Sequence, residues 1–141
     1  MLIHYYQQFF TGPSAPGTVT PRKLMRRLAT PGNQVYVVAT DFNVYSEQTE
    51  PTEDEAFENG GSLKINRLPS ARGLRRGLRA RLRTYLGFAC RAFRFGRTLP
   101  RPDVVIGSIQ PLFTGVVAER LARKWRAPFL LEIRDLWPDA L

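Results

Sequence analysis

The chain has 141 residues, 43% of them hydrophobic, which is sufficient for one domain with a buried core. Its formal net charge of +9 predicts attraction to polyanions, either nucleic acid or an anionic membrane surface. The single cysteine, Cys90, excludes an internal disulfide framework, and no apolar run reaches the roughly 18 residues of a transmembrane helix. No basic leader precedes the first apolar run, so we predict no signal peptide.

The first part of the chain predicts a strand, a loop, a helix and a second strand. Residues 1–6 are apolar and aromatic, as in a buried strand. Turn-forming residues dominate 7–19, after which Thr20 and Pro21 predict the start of a helix. Residues 34–39 are almost continuously apolar, which is typical of a strand covered on both faces of a sheet.

The loop between the first strand and the first helix carries Gly12 and Gly17. Such a loop binds a phosphate when its backbone N–H groups are free, and it is otherwise a flexible connection. The chain has neither G-x-G-x-x-G nor G-x-x-x-x-G-K-[ST], so the sequence supports neither dinucleotide binding nor a Walker-type site. Both interpretations of the loop stay open.

Residues 41–62 are polar and acidic, without a helical or strand period, and predict a surface loop. Their carboxylates lack EF-hand spacing, so we predict no metal site there. Residues 63–68 alternate apolar and polar side chains and predict a half-exposed third strand.

Residues 71–97 form a basic segment that contains no acidic residue. Leucines recur every three or four residues, as in an amphipathic helix whose apolar stripe packs on the core. Gly73, Gly77 and Gly87 weaken this helix, so we expect it to break into two pieces.

The basic face of this segment has three interpretations: a solvated surface, a membrane contact, or a phosphate-binding nucleic-acid interface. We favour the membrane contact over nucleic acid, because the sequence contains no nucleic-acid-binding motif. The predicted membrane-facing residues are Arg72, Arg75, Arg76, Arg79, Arg83, Phe88 and Phe93.

The last forty residues predict a strand (103–108), a helix (111–125) and a strand (128–133), hence a βαβ unit within a parallel sheet. Ligands of such sheets bind at the carboxyl ends of the strands. Ser108 to Gln110 follow one strand, and Arg134 and Asp135 follow the other. We therefore expect the functional site at these two tips. A further helix usually follows such a strand, so we expect the chain to be part of a longer protein.

Taken in order, these elements resemble the N-terminal half of a family 4 glycosyltransferase with the GT-B fold, of the kind that assembles bacterial exopolysaccharide, O-antigen and capsule. The similarity is carried by segments 5–10, 32–40, 101–106 and 111–113, and above all by 127–139, where Arg-Asp-Leu-Trp-Pro follows an apolar strand. The resemblance implies an α/β, Rossmann-like, three-layer domain with a mostly parallel sheet, incomplete at residue 141.

The resemblance also implies a function: transfer of a sugar from a nucleotide-sugar donor to a lipid-linked or polysaccharide acceptor. The donor would bind to a C-terminal domain that is absent here, so this chain alone should be inactive. No metal or other cofactor is expected, because the family stabilises the leaving diphosphate with positive side chains and helix dipoles. The expected location is the inner face of the plasma membrane, as a peripheral protein.

The resemblance also implies site residues, which are assigned by their positions in the matching segments. Gly12, Gly17 and Thr18 match the family's glycine-rich loop, although its usual paired glycines are separated here. Ser108, Gln110 and Arg134 complete the predicted acceptor- and phosphate-binding set. Arg134 stands where many relatives have a histidine, and arginine is not a base at neutral pH. Asp135 is the candidate catalytic base for an acceptor hydroxyl; its alternative role is to cap the following turn.

A second hypothesis is a non-catalytic subunit that binds the acceptor, docks on the membrane and pairs with a separate donor-binding chain. A third is a basic nucleic-acid-binding module. We expect no nucleic-acid partner.

Overall fold

A computed structural model describes residues 1–13, 17 and 20–134, and of Arg75 it describes the backbone alone. The elements in chain order are β1 (Leu2–Tyr6), α1 (Thr20–Ala29), β2 (Gln34–Thr40), β3 (Glu53–Ala56), β4 (Ser62–Leu68), α2 (Leu78–Gly96), β5 (Val104–Ser108), α3 (Leu112–Trp125) and β6 (Phe129–Glu132). Within the described residues the strands form one six-stranded sheet in the order β3-β4-β2-β1-β5-β6. Every neighbouring pair is parallel except β3 and β4, which confirms the predicted α/β class with a mostly parallel sheet.

The sheet is covered on both faces, because β1 lies at its centre and its side chains alternate between two cores. Ile3 and Tyr5 pack with Met25 of α1 in one core. Tyr6 packs with Phe88 of α2 and with α3 in the other. This three-layer arrangement explains why β1 and β2 are almost continuously apolar in sequence.

The prediction of a surface loop over 41–62 is wrong in part. Residues 53–56 form β3, a short strand antiparallel to β4 at the edge of the sheet. The sequence conceals this strand because its side chains are charged rather than alternately apolar. Three cations from α1 and β4 pair with its acids: Arg22 with Glu53, Lys64 with Asp54, and Arg26 with Glu55.

The basic segment breaks as expected, into a single 3₁₀ turn (Leu74–Arg76) and α2. Gly73 and Gly77 adopt φ values of 99° and 107° on either side of this turn, in the region that favours glycine. The predicted direction of the leucines is wrong. Leu78, Leu82 and Leu86 are exposed, and α2 packs through Phe88 and small residues instead.

The small residues on α2 permit close helix–sheet contact. A Cβ atom on Gly96 would lie 2.5 Å from the Tyr6 Oη and 2.6 Å from a methyl group of Leu121 in α3. Small buried residues give no hydrophobic periodicity, so the sequence favoured the wrong face of this helix.

No helix among residues 1–13, 17 and 20–134 combines the length and apolar character that crossing a membrane requires.

Candidate functional site

A cleft of about 520 Å³ lies at the carboxyl edge of the parallel strands. Its walls come from segments that follow β1, β2, β5 and β6, together with one turn of α2. The lining residues are Gln7, Phe9, Thr11, Val44, Tyr45, Tyr85, Ile109, Gln110, Pro111, Leu112, Phe113 and Arg134. This is the edge at which open α/β sheets bind their ligands, and the cleft includes Gln110 and Arg134 from the two tips at which the sequence predicts the site.

One wall of the cleft is aromatic. The Phe9 ring meets the Tyr85 ring edge-to-face at 6.3 Å between centroids, and it meets Phe42 in the same way at 6.2 Å. Tyr45 and Phe113 extend the wall. Flat rings suit the apolar faces of a sugar, and the hydroxyl groups of Tyr45 and Tyr85 suit its hydroxyl groups.

The cleft lining also contains a polar pair, Gln110 and Arg134. Arg134 follows β6 and Gln110 follows β5, so two neighbouring strands deliver them to one place. A guanidinium offers a rigid fork of donors that matches a phosphate or carboxylate. The polar pair is therefore suited to an anionic ligand.

A buried hydrogen-bond chain connects to the cleft lining through Gln7. The Tyr5 hydroxyl donates to Glu132 Oε2 at 2.5 Å and lies 3.0 Å from Oε1 of Gln7, which lines the cleft. Burial, and next the Glu132 carboxylate, raise the pKa of Tyr5 well above its usual 10. Tyr5 therefore stays protonated and remains a donor at neutral pH. Glu132 accepts this hydrogen bond, which is a structural role.

The glycine-bearing loop leads from the cleft toward α1. Gly17 has φ of 132°, and a Cβ there would lie 2.9 Å from both the Thr11 Oγ1 and the Tyr45 ring. Gly12 is buried, and a Cβ there would meet only the Glu50 carboxylate, at 3.4 Å. Thus the backbone at Gly17, but not at Gly12, requires glycine.

A buried ion network stabilises the start of this loop. Arg67 of β4 pairs with Glu50 and donates to the backbone carbonyls of Phe10 and Thr40. Burial lowers the pKa of Arg67 below its usual value, and Glu50 opposes this shift. The Asn43 amide donates to Glu50 at 3.0 Å. The network thereby joins the segments that carry Phe9 and Tyr45, so it fixes the spacing of two segments of the aromatic wall.

The predicted acceptor and phosphate site is assembled in part. Gln110 and Arg134 lie together in the cleft, and Gly17 adjoins Tyr45. The prediction that Ser108 binds the ligand is wrong. Ser108 is completely buried beside the Tyr5 hydroxyl, so a ligand in the cleft does not reach its side chain. Thr18 and Asp135 lie outside the described residues.

The predicted membrane-facing set also needs correction. Arg72, Arg76, Arg79 and Arg83 are exposed, whereas the side chain of Arg75 is outside the described part. Phe88 is completely buried and Phe93 packs against the same core, because α2 turns this face toward the sheet and α3. These phenylalanines therefore belong to the core.

Sequence inspection missed the aromatic wall. Phe9 and Tyr45 lie in irregular segments, and Tyr85 lies on the helix whose orientation was predicted wrongly. The only available signal was the clustering of aromatic residues directly after β1 at Phe9 and Phe10.

Comparison with known protein families decides what this architecture belongs to. A family model described as a glycosyl transferase 4-like domain matches residues 16–141. The chain belongs to this family. A search of curated protein sequences gave no significant match. In this glycosyl transferase 4-like domain, the cleft at the carboxyl edge is the candidate site of a glycosyltransferase.

Proposed function

We propose that the chain is the acceptor-binding domain of an enzyme that transfers a sugar, of the hexosyl type, from a nucleotide-sugar donor. Its acceptor is a lipid-linked or polysaccharide molecule in cell-surface polysaccharide biosynthesis, as in exopolysaccharide, O-antigen and capsule assembly. The observation that carries this proposal is the cleft, lined by Arg134 and by an aromatic wall, in a glycosyl transferase 4-like domain.

Both the polar pair and the aromatic wall have a chemical role in the proposed reaction. Arg134 and Gln110 bind the anionic group of the acceptor, because a guanidinium donates two parallel hydrogen bonds to a phosphate. Tyr85 and Phe9 pack against the apolar part of the acceptor or of its sugar. Asp135 is proposed to accept the proton of the attacking hydroxyl, and Gly12, Gly17 and Thr18 are proposed to bind the donor phosphates.

The donor is assigned to a second, nucleotide-binding domain, either continuous with this chain or supplied by a separate one. We expect the 141 residues alone to be inactive, because most of the transition-state stabilisation comes from groups around the donor diphosphate. No metal or further cofactor is included in the proposal.

We assign the reaction to the inner face of the plasma membrane, with the protein bound peripherally. Exposed arginines of the basic segment, among them Arg76, Arg79 and Arg83, supply attraction to anionic lipids. Such attraction amounts to about 1 kcal/mol per basic residue near the surface. We do not include nucleic acid among the partners.

The proposal is tested on the protein expressed from its complete natural reading frame. Membranes supply lipid acceptors, and radiolabelled nucleotide sugars are offered one at a time. We expect transfer from one donor, reduced about a hundredfold by Arg134→Gln, because the charge-assisted contact to the acceptor is lost. Arg120→Gln, at an exposed position of α3, is the matched control and should leave transfer unchanged. Absence of transfer from every donor contradicts the proposal, as does transfer insensitive to Arg134→Gln.

A further inference from the structure

The exposed side of α2 carries a row of leucines. Leu78, Leu82 and Leu86 are 73%, 39% and 47% exposed, although leucine side chains are ordinarily buried. Their spacing of four residues aligns them along one stripe of the helix. The buried stripe of α2, at residues 84, 88, 92 and 96, lies on a different side. The leucine row therefore contributes nothing to the core of this domain.

Arginines flank the leucine row. Arg79 and Arg83 are exposed and follow Leu78 and Leu82 directly in sequence. No acidic residue occurs between positions 71 and 102, so nothing within this segment neutralises the charge. An apolar row bordered by cations on the surface of a helix is the pattern of a helix that lies in the interface of an anionic bilayer.

We infer that α2 binds an anionic bilayer by inserting Leu78, Leu82 and Leu86, while the flanking arginines contact the lipid phosphates. This inference rests on the membrane location in the proposed function. It adds insertion of the leucines to the attraction of the arginines for anionic lipids. Charge complementarity selects the bilayer as the occupant of this row, because a protein partner for it would have to be strongly acidic.

The position of the leucine row also orients the cleft. Tyr85 lines the cleft and stands three residues from Leu82, so the two side chains are neighbours on the helix surface. A bilayer that receives Leu82 therefore lies beside the aromatic wall. An acceptor anchored by a lipid chain reaches the cleft from this side without leaving the membrane.

The test is sedimentation of the purified chain with vesicles of phosphatidylcholine and of phosphatidylcholine mixed with phosphatidylglycerol. The leucine row is removed in L78S/L82S/L86S. The matched control, L24S/L130S/L131S, removes three other exposed leucines, outside α2. Because all six positions are exposed, thermal unfolding should show that both variants stay folded.

We expect the wild type and the control to bind the mixed vesicles, and the leucine-row variant to bind about a hundredfold more weakly. Burying one exposed leucine corresponds to about a tenfold gain, and the three insert incompletely. In about 1 M NaCl, which screens the arginines, the wild type should keep part of its binding and the variant none.

Equal binding by the leucine-row variant and the wild type overturns the inference and leaves arginine attraction intact. Failure of the wild type to bind the mixed vesicles overturns both the insertion of the leucines and the attraction of the arginines to anionic lipids. This holds whether or not the wild type binds nucleic acid or self-associates. Insertion together with absence of sugar transfer by the natural protein would instead contradict the proposed enzymatic function alone.

Discussion

The only histidine of the chain gives the most direct test of the buried sheet. His4 is completely buried in β1, its ring stacked on Tyr36 at 5.8 Å, and its Nδ1 lies 3.5 Å from the Tyr6 hydroxyl. Burial lowers the pKa of His4 to about 4, against an ordinary value of 6.5. Between these two values the unfolded chain binds a proton that the folded chain does not.

The free energy of unfolding should therefore fall as the pH falls through this window, and it is fully retained above pH 6.5. The slope approaches about 1.4 kcal/mol per pH unit where the proton difference is complete. From pH 7 to pH 5 the two pKa values give a loss of about 2 kcal/mol from this single side chain.

Urea denaturation of the wild type and of His4→Phe at pH 7 and pH 5 measures this loss. Phenylalanine keeps a flat ring against Tyr36 and removes the titrating group, so the variant should lose much less stability between the two pH values. The variant also corrects for any contribution from carboxylates. Equal stability of the wild type at pH 7 and pH 5, or the same loss in both proteins, would refute the buried, neutral state of His4.

Further substitutions at three positions test the packing around the cleft and in the core that contains Tyr6. Arg67→Met leaves Glu50 buried without its cation and should cost about 3–5 kcal/mol in urea denaturation, whereas Arg67→Lys keeps the charge and should cost less; a loss of under about 1 kcal/mol for methionine would contradict the network. Gly96→Ala forces a methyl group against Tyr6 and should cost about 1–3 kcal/mol. Gly87→Ala, on the same helix but close only to the flexible Arg91 side chain, should instead stabilise by about 0.5–1 kcal/mol; the same sign for both alanines would show that α2 is not oriented as described.

Most of the sheet could be predicted from the sequence, because its strands are marked by composition. The continuous apolar runs of β1 and β2 predict strands covered on both faces, and the alternation of β4 predicts one buried face. Each prediction is confirmed within a residue or two at the ends. The edge strand β3 is held by ion pairs rather than by apolar burial, so hydrophobic periodicity did not reveal it.

The orientation of α2 could not be predicted, because the turn at Gly77 separates it from the leucine at position 74. Leu74 is buried, but Leu78, Leu82 and Leu86 beyond the turn face outward. Treating the leucines before and after Gly77 as one continuous stripe therefore assigned the wrong face of α2 to the core.

The candidate site, like the fold, could be predicted only in part. Its location and its polar pair, Gln110 and Arg134, follow from the rule that parallel sheets bind ligands at their carboxyl edge. The aromatic wall depends on tertiary contacts between Phe9, Tyr45 and Tyr85, which are distant in sequence. The Arg67–Glu50 pair that holds two of these segments likewise joins residues that no local pattern connects.

The central claim, that the cleft binds the acceptor, is tested most directly by hydrogen–deuterium exchange of the chain with a short-chain prenyl diphosphate sugar. We predict that the ligand slows exchange in residues 7–11, 44–45 and 109–113, and that Arg134→Gln abolishes this protection. Protection instead at the amino-terminal edge of the sheet, around Asn33 and Asp103, or no protection at any ligand concentration, would contradict the claim.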